Sequence, residues 1–214
     1  MKTLQEIGAL IISSKQEVLT LLVQHIYVSV TAVLLAALVA IPCGIMISRV
    51  RILGGPLIGL AGTLYTIPSL ALFGFLVPFL GIGSAPATVA LFIYALLPLL
   101  RNTYIGIVEV DKAAVEAALG MGVNRWQLLW RVELPLALPV ILAGFRMVVV
   151  MTIGLAAIAA FVGGGGLGVL VFRGRALMDT AMIIYATLLI AALAVIADQL
   201  CGRLERKVRN IVGD

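Results

Sequence analysis

The sequence predicts an all-α integral membrane protein with five transmembrane helices, and three observations carry that prediction. Of its 214 residues, 63% are hydrophobic and only 12% charged, whereas a soluble domain holds about 25% charged residues. The mean hydropathy is +1.19. The 22 glycines and 8 prolines fall within this apolar chain, which suits closely packed or broken membrane helices better than a water-soluble core. These features exclude a secreted enzyme, a disulfide scaffold and a nucleic-acid binder. The formal charge of +5 needs no polyanionic partner, because membrane proteins gather Lys and Arg in cytoplasmic loops.

A spanning helix needs about 20 mostly apolar residues. Four charge-free stretches are long enough: Val18–Ser48, Ile52–Leu100, Met147–Phe172 and Thr180–Ala197. The second holds two spans, with Gly81-Ile82-Gly83-Ser84-Ala85-Pro86 as the turn between them. The spans are expected near residues 24–48, 57–80, 86–106, 137–162 and 180–201. Residues 1–23, interrupted by Ser13-Ser14-Lys15-Gln16-Glu17, read as an interfacial amphipathic helix. They lack the basic-then-apolar order and cleavage site of a signal peptide. The chain is thus a single membrane domain, with a loop at residues 107–135, a glycine-rich turn between the last two spans and a tail at 202–214.

Orientation follows from the positive charges. With the segments after spans one, three and five in the cytoplasm, the inside holds Arg49, Arg51, Arg101, Lys112, Arg125, Arg131, Arg203, Arg206, Lys207 and Arg209. The outside holds Lys2, Lys15, Arg173 and Arg175. Ten against four places the amino terminus outside and the carboxyl terminus inside. Cys43 and Cys201 read as small packing residues, since no short-spaced Cys or His partner suggests a metal site.

The longest non-membrane stretch, Glu109 to Pro135, has the grammar of two short helices. Asp111 caps the first, Gly120-Met121-Gly122 stops it, and Asn124 with Gln127 opens the second as a capping-box variant. The second is expected to end at Leu134-Pro135. Ala117, Ala118, Leu119, Met121, Trp126, Leu129 and Trp130 are too apolar to be left in water. Two coverings are open: a docked partner protein, or the loop's own bundle, with the two tryptophans as interfacial anchors.

Glu116-Ala117-Ala118, then Gly122, Val132 and Leu134-Pro135 at fixed spacing, resemble the EAA signature of ATP-binding-cassette importer permeases. The resemblance implies that Glu116, Ala117, Ala118, Leu119, Gly122, Leu134 and Pro135 belong to a coupling loop that seats on an ATPase dimer. Thr66-Ile-Pro-Ser-Leu-Ala-Leu72, Leu80-Gly-Ile-Gly83, Tyr94-Ala-Leu-Leu-Pro98, Arg101-Asn-Thr-Tyr104 and Ala160-Phe-Val-Gly-Gly-Gly-Gly-Leu-Gly168 are similar to the osmoprotectant permeases, which import glycine betaine, carnitine, choline or proline betaine. Methionine-importer permeases share the five-span plan, and their fold is the one expected. The same framework also suits another small solute, such as ergothioneine or an amino acid. The implied partners are a second copy or sister permease, the ATPase dimer, an extracytoplasmic substrate-binding protein and the lipid bilayer of a bacterial or archaeal inner membrane.

No cofactor is expected on this chain, and none of Lys2, Lys15, Lys112 and Lys207 follows a glycine as a phosphate-binding loop requires. ATP and magnesium would bind the partner ATPase. Gly163 to Gly168 matches a dinucleotide fingerprint but follows a membrane span, so it reads as an external turn. Beyond it, Arg173, Arg175 and Asp179 suit either docking of the binding protein or interfacial anchoring.

Pro68 and Pro98 are expected to interrupt the second and third spans. Tyr65, Thr66, Pro68, Ser69, Tyr94, Pro98 and Thr152 are the residues for a translocation path, or else for helix packing with locally bonded hydroxyls. Arg146 is expected to snorkel toward the cytoplasmic headgroups, Asp198 to be neutralised by Arg203, and His25 to pack at the outer start of the first span. The aromatics are scattered, so the selective ligand site is expected on the binding protein. An ion-coupled secondary transporter is disfavoured, because five spans do not split into equal repeats and no acidic residue lies mid-span.

Overall fold

The computed structural model describes residues 15–213, and they are helical almost throughout. Helix α1, Lys15–Arg49, is one helix of 35 residues. Residues 15–23, expected within a separate interfacial helix, are continuous with the first long helix. With Glu17 in the first turn, favourable at the positive helix end, and no Gly or Pro before Pro42, nothing breaks the helix there. The remainder of the expected interfacial helix, residues 1–14, lies outside the described residues.

The stretch expected as the second span is bent. Helices α2 (Arg51–Tyr65) and α3 (Ser69–Leu80) meet at 94°. The Pro68 ring disfavours helix at Ile67 before it, and Pro68, extended at φ −57° and ψ 131°, stands at the start of α3. Helix α4, Ser84–Val108, follows a glycine turn in which Gly81 has φ +76°. Contrary to expectation, α4 runs unbroken through Pro98, as buried membrane helices tolerate.

The loop helices α5 (Lys112–Gly120) and α6 (Arg125–Leu128) come next. The expected break at Leu134-Pro135 is absent. A π-helical turn over Leu129–Glu133 leads directly into α7, Leu134–Ala156. There the Leu134 N–H donates back five residues to the Leu129 carbonyl. The widened turn accommodates the proline ring, and helical backbone continues from loop to span. A 3₁₀ turn over Ala157–Val162 and the glycine-rich turn precede α8 (Gly168–Ala176) and α9 (Thr180–Gly213). Residues 202–213, expected as a separate tail, continue α9.

Four helices are long and apolar enough to cross a membrane, and the bent α2–α3 pair makes five. Helix α4 is central, packing on α1, α7 and α3, while α7 also packs on α9. Its approach to α1 is close: a Cβ on Gly44 would lie 2.6 Å from the Thr103 Cβ. Without a strong hydrophobic drive between helices in lipid, such small-residue contacts supply the packing that holds them together. One core cluster gathers Val28, Phe73, Leu91 and Val162, another Val33, Ile47, Leu99 and Val148.

Candidate coupling loop, helix bend and outer turn

The loop between α4 and α7 is built by local hydrogen bonds of the expected kinds. Asp111 Oδ1 accepts from the Ala113 N–H at 3.0 Å. The Asn124 and Gln127 side chains each accept from the other's backbone N–H at 2.9 Å. Gly122 has φ +81°, which only glycine adopts without strain. At the tip, Met121 and Trp126 are 79% and 71% exposed, with Leu119 and Trp130 also exposed. Glu116 and Ala117 are exposed beside them, but Ala118 (2%) and Leu129 are buried within the loop. The open apolar surface thus centres on Met121 and Trp126, not on both alanines. Leu134 packs against Ile107, Ala137 and Ile141, so it roots the loop in the bundle, and the half-buried Pro135 follows it at the start of α7.

Two ion-pair groups mark the same end. Arg49, at the end of α1, pairs with the buried Glu133 of the π turn. Arg146 of α7 meets Asp198 of α9 in a bidentate pair at 2.6 and 2.8 Å and Glu205 at 3.2 Å. Asp198 is therefore neutralised across helices by Arg146 rather than by Arg203, and Arg146 is clamped rather than snorkelling alone. The geometry follows from helical periodicity: Asp198, Gly202 and Glu205 lie on one face of α9, and a Cβ on Gly202 would stand 3.0 Å from Arg146 Nη1. Arg146→Leu is expected to lower the unfolding temperature of the detergent-solubilised protein, and adding Asp198→Leu to it should lower it by less than the sum of the two single changes. Strict additivity would show that the pair contributes nothing.

The bend brings part of the expected path together. The Tyr94 hydroxyl donates to the carbonyl of Ile67 at the break. The Tyr65 and Tyr94 rings meet edge to face with centroids 5.8 Å apart. The Tyr65 hydroxyl lies 3.6 Å from Met151 Sδ, and Thr66 Oγ1 donates to the Thr63 carbonyl at 2.7 Å. Pro68 and Ser69 begin α3 beside them. Pro98 is half-buried one turn below Tyr94, its carbonyl accepting from Asn102 Nδ2 at 2.7 Å. Thr152 does not join this group. It lies with Val148 and Ala156 on the packed face of α7 and is fully buried, so it lines no open path in this conformation.

At the opposite end, α1 holds the glycine-rich turn. The Gly166 N–H donates to Gln24 Oε1 at 3.2 Å and the Leu167 N–H to His25 Nδ1 at 3.2 Å. His25 Nε2 lies 2.9 Å from the Ile153 carbonyl, so the ring is the neutral tautomer protonated on Nε2. His25, 1% exposed, thus ties α1 to both sides of the turn. Its only sequence signal was its standing as the single histidine. Glu17 pairs with Arg173 at 2.6 Å, and this bond holds the Arg173 guanidinium above its ordinary pKa. Asp179 Oδ1 accepts from the Met182 N–H at 3.0 Å and so caps α9. Of the three expected docking residues, Arg175 is the one exposed without an ion-pair or capping role among the described residues.

Known proteins match this architecture. A family model described as "Binding-protein-dependent transport system inner membrane component" matches residues 32–210. The carnitine transport permease protein OpuCB of Listeria monocytogenes is 43% identical over 185 residues, covering 86% of this chain and 85% of that protein. The glycine betaine/carnitine/choline transport system permease protein OpuCD of Bacillus subtilis is 42% identical over 212 residues, covering 99% and 93%. The osmoprotectant import permease protein OsmW of Salmonella typhimurium is 44% identical over 187 residues, covering 85% and 87%. Among solved structures, a chain of the MetNI methionine ABC transporter in an inward-facing conformation superposes with a TM-score of 0.80 at 21% identity, covering 89% of this chain and 95% of that one.

Proposed function

This chain belongs to the binding-protein-dependent transport system inner membrane components, and from that premise we propose that it is the permease of an ATP-driven importer for quaternary ammonium osmoprotectants such as glycine betaine, carnitine or choline. The observation that carries this reading is the coupling loop: an apolar tip at Met121 and Trp126, joined to the fourth span by helical backbone from Arg125 to Val162. A partner ATPase dimer, binding ATP and magnesium, seats on that tip, and its closure moves α7 as a lever. The rigid connection turns a displacement at the tip into a tilt of the span. The bundle then exchanges inward-facing for outward-facing arrangements as nucleotide binding favours one of them.

The loop end lies in the cytoplasm and the glycine-rich turn outside, as the positive-inside bias of ten against four supports. The binding protein meets the outer end near Arg175, and a second copy or a sister permease completes the pore. The substrate class rests on the relatives, whose names specify carnitine, choline and glycine betaine.

The test is reconstitution in liposomes with its partner ATPase and binding protein, presented with a panel of quaternary ammonium solutes and amino acids. Quaternary ammonium solutes are expected to stimulate ATP hydrolysis severalfold over amino acids. Stimulation by amino acids alone would overturn the substrate assignment.

A further inference from the structure

We infer that the bend between α2 and α3 is a transit site for the quaternary ammonium group itself, formed by the ring of Tyr65, held in place by the buried Tyr94, and the thioether of Met151. This deepens the reading above and rests on it. The aromatics are scattered along the sequence, but folding sets these two 5.8 Å apart, edge to face. Tyr94 is 5% exposed and anchored through its hydroxyl to the Ile67 carbonyl. Tyr65, at 38%, presents the accessible ring. Its hydroxyl reaches Met151, and Met151 also lines an open cavity of about 520 Å³. That cavity continues down α7 past Met147 to Arg146, Asp198 and Glu205.

The chemistry of these walls selects a ligand class. Three hydroxyl hydrogens at the bend are directed within the protein, Tyr94 to the Ile67 carbonyl, Tyr65 to Met151 and Thr66 to the Thr63 carbonyl. The exposed ring of Tyr65 and the Met151 sulfur beside its hydroxyl are the soft, polarisable groups at this bend. A trimethylammonium group, with no donor to satisfy and a positive charge spread over its methyl groups, is attracted to an aromatic face and to polarisable thioethers. At the inner end, two carboxylates and one guanidinium line the cavity, a surface that tolerates a departing zwitterion or cation. Contacts of this soft kind suit transit, since a passing solute must be released.

The test is uptake of radiolabelled choline and glycine betaine by liposomes holding the complete complex, with Tyr65→Leu, Tyr65→Phe and phenylalanines carrying one to three ring fluorines at position 65. Tyr65→Leu is expected to lower uptake about tenfold, and Tyr65→Phe to keep it within about twofold. The isosteric fluorine series is expected to lower uptake step by step as the ring face loses negative charge. Ligand affinity measured on the binding protein alone is the control that separates an effect on transit from one on capture. A flat fluorine series, or equal loss in the Leu and Phe variants, in a complex that does import choline would overturn the site and leave the substrate class standing. A wild-type complex that imports another solute but neither of these two would overturn the substrate class, and the site with it.

Discussion

Glu116→Lys and Gly122→Trp are expected to leave the chain inserted in the membrane while weakening its hold on the ATPase by about thirtyfold or more, the loss seen when a central interface residue is removed. Both residues stand on the exposed side of the loop, away from the packed bundle, so neither change opens a cavity. Gly122 is the more severe case. Its φ of +81° costs an L-residue about 1–2 kcal/mol, and an indole there also projects beside Met121, the most open apolar group of the tip. Glu116→Lys keeps the helix but reverses a charge at the rim of the same surface, which acts on partner choice through electrostatic mismatch. The measurement is co-purification with the ATPase together with ligand-stimulated ATP turnover. Undiminished stimulation in both variants would refute the assignment of residues 109–135 as the coupling loop.

His25→Leu is expected to destabilise the folded protein by about 2–4 kcal/mol, because it strands two buried backbone groups at once, the Leu167 N–H and the Ile153 carbonyl. In the apolar interior of a bundle neither has water to turn to. The neighbouring bond from Gly166 to Gln24 would then be the one side-chain hydrogen bond left between α1 and the turn among the described residues, and residues 163–167 should become cleavable by protease. Thermal unfolding in detergent and limited proteolysis measure the two effects. Unchanged stability with an uncut turn would mean that the histidine only fills space. His25→Gln, which carries both a donor and an acceptor, is expected to recover part of the loss.

These two sites differ in how far they could be read from the chain. The coupling loop is local: Asp111, Gly122, Asn124 and Gln127 act within three residues of the backbone they serve, so residue type and spacing are enough to place its caps. The five spans are equally open to reading, because a charge in hydrocarbon is costly and the few charges must mark the ends. The bend at Pro68 was open to reading as well, but not its angle, which depends on where α3 finds its packing against α4. Pro98 carried the same local signal as Pro68 and produced no break, since a proline lacks the information to say whether its neighbours hold the helix together. At Pro135 a π turn absorbed what a proline ordinarily ends.

Long-range pairing was beyond any such reading. Arg146 and Asp198 are 52 residues apart, and His25 and Leu167 are 142 apart. Arg203 was the nearer charge for Asp198 along the chain, yet α7 brings Arg146 across and satisfies both carboxylate oxygens together. Asp179, read as a docking group, caps its own helix because a free N–H three residues on is always within reach.

The sequence by itself marked this as a membrane chain, set out the apolar stretches that become its long helices and placed the caps of its apolar loop. Those follow from transfer energies and local hydrogen bonds, which act on neighbours in the chain. Only the tertiary structure decided which polar groups meet inside the bundle, how the second span bends and that Tyr65 and Tyr94 face one another. Such contacts are set by the packing of whole helices, whose rotation and depth no local residue pattern specifies.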